Sequence, residues 1–206
     1  VQQSPGLKIQ GSIIATTLVE LIARDGAVYI SGTIRNPSFG NVADVRIIAG
    51  TTISIQDGAS VQADRYEVRA PVAIRFMQDG NFTVNGFFGG LVGMEGTGYL
   101  RLSLGNIVGG QFVPNGVLNL QSGVLSSTGD MEISASSILM DGTSALIAGH
   151  LKVVTTNGIT LYTLVDTLSV EILSSGNITI HEGNTITLNR IITPNGNVMI
   201  DSGGTM

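Results

Sequence analysis

A short phrase recurs along this chain: a turn containing glycine, followed by a run in which apolar and polar residues alternate. Copies at 129–133 and 149–153 start 20 residues apart, and so do copies at 176–180 and 196–200. Strict alternation predicts short strands with one buried and one wet face. Because a strand of four or five residues buries little surface alone, helix-free repeats of this length predict a solenoid. Further copies open at Gly26, Gly40, Gly80, Gly116 and Gly158.

We therefore predict an all-β chain, with residues 1–206 forming a single parallel β-helix (β-solenoid) domain of roughly 20 residues per coil. Each coil contributes two or three short strands, and successive coils stack about 4.8 Å apart with parallel pairing. About ten such coils fit the chain, giving a rod on the order of 50 Å long. Glycine and asparagine occupy the corners, and inward Ile, Val and Leu form ladders along the axis.

The alternative architecture is an antiparallel β-sandwich or jelly roll, which also consists of short strands and turns. Four Asn-Gly dipeptides, at Asn85, Asn115, Asn157 and Asn195, suit its hairpins. We favour the solenoid because recurrence of one phrase is not expected in a sandwich. The segment 12–25 has a partial helical stripe, but its β-branched residues favour strand, which we predict there.

The composition excludes several classes of function. Only 12% of residues are charged, about half the ~25% typical of soluble domains, while 43% are hydrophobic. Ten Lys and Arg against a net charge of −5 leave no basic patch for nucleic acid. No apolar run approaches ~18 residues, so we predict no transmembrane helix. The absence of cysteine rules out disulfides and thiolate chemistry, and it fits an exported bacterial protein.

The segment 86–98 interrupts the pattern, because six of its thirteen residues are glycine. One interpretation is a long loop or bulged coil, so we assign a Gly-rich apolar insertion at about 86–98. The other is an apolar docking loop, because its large side chains are costly to leave in water. The candidate assembly contact in that case consists of Phe87, Phe88, Leu91, Val92 and Met94.

The acidic residues and histidines are scattered and do not form a catalytic motif. Asp130 and Glu132 are the closest pair on one strand face, with Asp141 expected to stack one coil above. His150 and His181 lie 31 residues apart, and without cysteine they do not define a zinc site. We assign no catalytic, cofactor-binding or metal-binding residues, predict no cofactor, and expect a non-enzyme.

Two further functions stay open at this point. Parallel β-helices include polysaccharide lyases and hydrolases, such as phage tailspike domains, which require carboxylates clustered on one groove. A carbohydrate-binding β-sandwich is the other, and exposed aromatic residues on a flat face would support it.

The repeats resemble those of filamentous haemagglutinin-type exoproteins, the two-partner-secretion adhesins of Gram-negative bacteria. The resemblance lies in Gly-Asn or Gly-Asp followed by alternation, at 129–135, 176–180 and 196–200, and in the coil 50–63, within the range 26–203. That family's secretion domain carries Asn-Pro-Asn-Gly, whereas the sequences ending at Gly116 and Gly196 lack the first asparagine. We therefore do not transfer the secretion role.

The resemblance implies a right-handed parallel β-helix that is exported to the cell surface or the extracellular space. Its role would be that of a structural rod in an adhesin or a self-assembling filament. We expect the chain to be a processed or excised piece of a longer protein, or to stack on copies of itself, because solenoid ends expose unpaired strand edges. A host or surface glycan or protein receptor is the further partner that an adhesin implies.

Overall fold

The computed structural model describes residues 6–35, 44–55, 60–61, 66–69, 73–78, 82–83, 86–90, 99–121 and 123–203. Within these ranges the chain is all-β without a helix, and stacked parallel coils form a solenoid of about 7 turns. The predicted parallel β-helix is therefore confirmed. The prediction of strand within segment 12–25 is also confirmed, because Ser12–Ile14 and Leu18–Ala23 are both β-strands.

Each coil contributes one strand to each of three faces, which we number in chain order. Face 1 contains β1 (Leu7–Ile9), β4 (Val28–Ile30), β7 (Thr52–Ile55), β10 (Ala73–Gln78), β13 (Tyr99–Val108) and β17 (Asp130–Ala135). Face 2 consists of two three-stranded sheets in succession: β2 (Ser12–Ile14), β5 (Thr33–Arg35) and β8 (Ser60–Val61), then β11 (Phe82–Thr83), β15 (Val117–Asn119) and β18 (Ser137–Leu139). Face 3 contains β3 (Leu18–Ala23), β6 (Asp44–Ala49), β9 (Tyr66–Arg69), β12 (Gly86–Gly90) and β16 (Gly123–Ser127).

The last coils are wound from one long strand, β19 (Ala145–Glu182), which passes around the corners without a break. It pairs with β16 on face 3 and with β17 on face 1. The final strands, β20 (Thr187–Ile192) and β21 (Val198–Ser202), add to β19 from the C-terminal side. All these pairings are parallel, as a solenoid requires.

The coils differ in length, and the described ranges form about 7 turns where ten were expected. Residues stacked on face 1 are 21 positions apart between Leu7 and Val28 and 20 apart between Met131 and Leu151. The interval from Leu100 to Met131 is longer, at 31 residues. There β14 (Gln111–Pro114) pairs antiparallel with the end of β13 as a hairpin that leaves the coil. A regular turn takes roughly 21 residues, close to the expected 20.

The sandwich alternative is wrong. Among the described residues the antiparallel pairing is that of β13 with β14, which turns at Gly109 and Gly110, both with positive φ. The Asn-Gly dipeptides serve other positions: the one at Asn157 lies inside β19, and the one at Asn195 joins β20 to β21. Asn115 precedes β15, and Asn85 lies outside the described residues. Positive φ also occurs at Gly176, inside β19.

The core is a set of apolar ladders along the inside of the coils. Val28, Ile53 and Ile30 are fully buried, and register pairs Val28 with Ile53 across adjacent coils. β17 shows the local cause, because its buried residues alternate with partly exposed ones along the strand. Each fully buried Val, Ile or Leu contributes roughly 1.5–3 kcal/mol relative to exposure, so the ladders supply the main stabilisation.

Candidate functional site

A ladder of alternating charge runs along the outer surface of face 1. Register aligns Arg101, Glu132 and Lys152 on three successive coils. The Arg101 Nε lies 3.4 Å from Glu132 Oε2, and the Lys152 Nζ lies 4.0 Å from Glu132 Oε1. Both cations are more than half exposed, so each pair contributes at most about 1 kcal/mol. The ladder therefore favours coil-to-coil register more than overall stability.

Two more ion pairs join residues on adjacent coils, one near each end of the described solenoid. On face 3, the Arg46 Nη1 lies 3.0 Å from Glu20 Oε1. Near the C-terminal end, the Arg190 Nη2 lies 3.6 Å from Glu171 Oε2. In both places the acid and the base belong to strands that are neighbours in the sheet.

Asp130 and Glu132 share the outer side of β17, and Asp141 does not join them. Asp130 Oδ1 lies 2.7 Å from His150 Nδ1, while Glu132 faces its two cations. Asp141 lies in the turn after β18 of the same coil, where its Oδ1 accepts a hydrogen bond from the Ser144 hydroxyl at 2.8 Å. The expectation that Asp141 stacks one coil above Asp130 and Glu132 is therefore wrong, since it closes a corner instead.

The two histidines occupy separate environments. His150 is exposed on face 1 beside Asp130. The ring of His181 stacks on Tyr162 of the preceding coil, with centroids 4.8 Å apart and planes inclined by 17°. Its Nδ1 lies 3.7 Å from Asp201 Oδ2 on the following coil. Within the described ranges, no three His, Cys, Asp or Glu side chains are grouped as metal ligands.

A buried carboxylate, Glu182, holds the corner that follows face 2 near the C-terminal end. It is only 4% exposed. Its Oε2 accepts a hydrogen bond from the Thr163 hydroxyl at 2.7 Å, and its Oε1 accepts from the backbone N–H groups of Val165 and Asn184, both at 3.3 Å. One carboxylate thus satisfies donors on two successive coils, where corner geometry interrupts the sheet ladder.

The role of Glu182 was not anticipated, although the sequence holds a signal for it. The inward row Ile178 and Ile180 continues with period two to residue 182, which places this carboxylate inside. Other inward rows end in the same way. Thr155 donates to the Asn157 carbonyl at 2.8 Å, and Ser127 donates to the Asp130 carbonyl at 3.1 Å. A polar residue at the end of an apolar row therefore indicates a corner.

A shallow groove of about 490 Å³ lies along face 2, across the coils that contain β18 and the middle of β19. The residues that line it include Leu139, Gly158, Thr160 and Asn177. The lining residues are uncharged, and no carboxylate or histidine is among them. Acid/base chemistry requires a titratable group within reach of the bound substrate, and this groove does not provide one.

The predicted assembly contact lies only partly within the described residues. Phe87 and Phe88 belong to β12, in backbone register with Val124 and Leu125 of β16. Residues 86–90 are thus a strand of the solenoid, paired on both sides. Leu91, Val92 and Met94 lie outside the described residues. The contact stays a prediction.

The described part of the chain contains no helix with the length and apolar character needed to cross a membrane. Comparison with known proteins gives no match: no protein-family model, no curated protein and no solved structure is significantly similar to the chain.

Proposed function

We propose that this chain is a structural, non-catalytic β-helical rod of a secreted bacterial adhesin or self-assembling extracellular filament. The observation that carries the proposal is the stack of parallel coils, whose ladders of apolar and charged residues continue from coil to coil. Stability in such a stack grows coil by coil, which suits a stiff spacer. The absence of cysteine fits an exported bacterial protein that avoids thiols.

The placement of the acids supports a non-catalytic role. Asp130 and Glu132 are engaged with His150 and with two cations on flat outer surface, and Glu182 is buried in a corner. The groove on face 2 has no acid in its lining. A polysaccharide lyase or hydrolase requires carboxylates converging on the bound sugar, and the part of the chain that the structure describes shows no such convergence.

The non-catalytic role is tested by incubating the purified chain with an acidic and a neutral polysaccharide and measuring new reducing ends and polymer length. We expect no change in either. The control is the double variant Asp130→Asn/Glu132→Gln, which removes both carboxylates from the outer surface of face 1. Cleavage by the parent chain that the double variant lacks would establish an enzyme and overturn the proposal.

The extracellular role is tested with an antibody raised against the purified chain. We expect it to label intact producing cells or the material that they shed. Labelling that appears only after the cells are permeabilised would contradict an extracellular location.

A further inference from the structure

Two positions in the chain carry the acceptor motif for N-glycosylation, which is Asn-x-Ser or Asn-x-Thr with x other than proline. The motifs begin at Asn81 and Asn177. Asn81 lies outside the described residues, whereas Asn177 belongs to β19 and lines the groove on face 2. Because an attached sugar is bulky, the folded structure must leave room for it, and the surroundings of Asn177 do so.

The two side chains that define the motif lie on the outer side of β19. Asn177 is exposed and Thr179 is half-buried, while Ile178 between them is fully buried. The Asn177 Oδ1 accepts a hydrogen bond from the Asn197 N–H at 2.9 Å. Among the residues that the structure describes, none accepts a hydrogen bond from the Asn177 Nδ2. The nitrogen that would carry a sugar is therefore exposed and uncommitted.

Asn157, another exposed asparagine of the same long strand, differs in both respects. Its Nδ2 donates to the Ser136 carbonyl and to the Ser137 hydroxyl, both at 3.3 Å. Its sequence, Asn-Gly-Ile, lacks the hydroxyl residue of the motif. The amide of Asn157 thus joins two coils, whereas the nitrogen of Asn177 stays available.

The groove on face 2 provides space for a sugar on Asn177. The Asn177 backbone lies against Gly158, which has no side chain, so the groove stays open beside the amide. Its volume of about 490 Å³ falls within the ~300–1,000 Å³ of small-molecule sites. Thr160, Thr179 and Gln121 line it with hydroxyl and amide groups. These uncharged groups match sugar hydroxyls, which both donate and accept hydrogen bonds.

We propose that Asn177 is an N-glycosylation site and that its sugar lies in the groove on face 2. A glycosyltransferase forms a bond between the Asn177 Nδ2 and the anomeric carbon of a phosphate-activated sugar. The bond from that carbon to the phosphate oxygen breaks, the phosphate leaves with the electron pair, and the amide proton passes to a base of the transferase. The donor is a nucleotide sugar or a lipid-linked oligosaccharide, which share this chemistry. This inference goes beyond the proposed structural role and does not rest on it.

The sugar must be added before the coil is wound. Ile178, the middle residue of the motif, is buried and pairs with Val198 of β21, so a transferase cannot bind this segment in the folded solenoid. Once the chain has folded, the sugar covers Leu139, which is 45% exposed at the groove. It also adds hydrophilic surface to a chain in which only 12% of residues are charged.

The test is mass spectrometry of the chain isolated from its producing cells. We expect the peptide that contains Asn177 to carry at least one sugar, and Asn177→Gln to lose it completely. Thr179→Val should also lose the sugar, because the motif requires a hydroxyl, whereas Thr179→Ser should keep it. A single added sugar indicates a nucleotide-sugar donor, and an added oligosaccharide indicates a lipid-linked donor. Because the sugar is added before folding, the readout does not depend on whether a variant folds.

The matched control is Asn157→Gln, which removes an exposed asparagine of the same strand and should leave the sugar on Asn177. Asn81→Gln removes the other motif, so that a sugar left on the intact chain belongs to Asn177. An unmodified Asn177 peptide from the producing cells would overturn the proposal, and so would a sugar that persists in Thr179→Val. Either result would leave the proposed structural role standing, because unmodified coils still form the rod.

The position of the sugar is tested by nuclear magnetic resonance of the glycosylated chain. We expect nuclear Overhauser contacts between sugar protons and the methyl groups of Leu139 and Thr160, which line the groove. These contacts should be absent from Asn177→Gln. A glycosylated chain without them would show that the sugar extends into solvent, and its placement in the groove would be wrong.

Discussion

At the scale of single residues, the solenoid depends on a few positions where its corners are closed. Glu182 illustrates this, because it hydrogen-bonds the Thr163 hydroxyl and the N–H groups of Val165 and Asn184 while only 4% exposed. Removing such an acceptor leaves buried donors without a partner, which costs about 1–3 kcal/mol per group. Corner residues of this kind therefore matter more than exposed ion pairs.

We expect Glu182→Ala to weaken this corner locally. Amide hydrogen exchange at Val165 and Asn184 should become roughly 10- to 100-fold faster, because both N–H groups lose their acceptor. Glu182→Gln keeps one acceptor oxygen and should show a smaller effect. The control is Glu132→Ala, whose carboxylate is outward, and it should leave exchange at Val165 and Asn184 unchanged. Equal protection in Glu182→Ala and the parent would contradict the corner role.

A second residue-scale prediction concerns Gly176, which has φ of +142°. A Cβ at this position would overlap the backbone of Gly158 on the neighbouring coil. We expect Gly176→Ala to cost about 2–4 kcal/mol, from backbone strain and overpacking together, and to lower Tm by roughly 5–15 °C.

Thermal unfolding followed by circular dichroism measures the effect of Gly176→Ala. The matched control is Gly142→Ala, because a Cβ at Gly142 meets its nearest atom, Tyr162 Cε1, at 4.0 Å. Its Tm should stay within a few degrees of the parent value. Similar melting of both variants would show that the close approach at Gly176 does not limit stability.

At the scale of elements, the recurring sequence phrase predicts the positions of strands better than it predicts the number of coils. Copies at 129–133 and 196–200 overlap β17 and β21, and in β17 buried residues alternate with exposed or partly exposed ones. The number of turns is harder to predict, because alternation is local and does not report how much chain leaves a coil between two strands. The hairpin at 105–114 is such a departure. Its Gly109-Gly110 turn looks like a corner in the sequence.

Cross-coil charge ladders lead to a prediction at the same scale. Glu132→Lys places a third cation between Arg101 and Lys152, which lie in register on either side. We expect the free energy of unfolding to fall by about 1 kcal/mol at low salt, since two weak attractions become repulsions. In roughly 1 M salt, where the screening length is about 3 Å, most of this loss should disappear.

Urea unfolding at the two salt concentrations measures the effect of Glu132→Lys, with Glu132→Gln as the control that removes the attraction without adding repulsion. The control should change stability by less than about 0.5 kcal/mol. A loss for Glu132→Lys that is equally large in high salt would mean that it arises from packing and not from charge.

At the scale of the whole molecule, the described ranges form a rod of about 7 parallel turns, on the order of 35 Å long at one strand spacing per turn. The sequence predicted this architecture because every coil must turn with small residues and bury its own inward row. It did not predict which acids are buried or engaged across coils, because these roles depend on register between residues 20 or more positions apart.

The measurement that tests this winding most directly is disulfide formation between cysteines introduced on adjacent coils, in a chain that has none of its own. The pairs Arg101→Cys/Glu132→Cys and Glu132→Cys/Lys152→Cys are in register, about 4.8 Å apart, which is within disulfide range. The control pair Glu132→Cys/His150→Cys is offset by two residues along the strand, at roughly 8 Å, which exceeds that range. We expect rapid intramolecular disulfides in both in-register pairs and little in the control. No preference for the in-register pairs would mean that the coils are not stacked in this register.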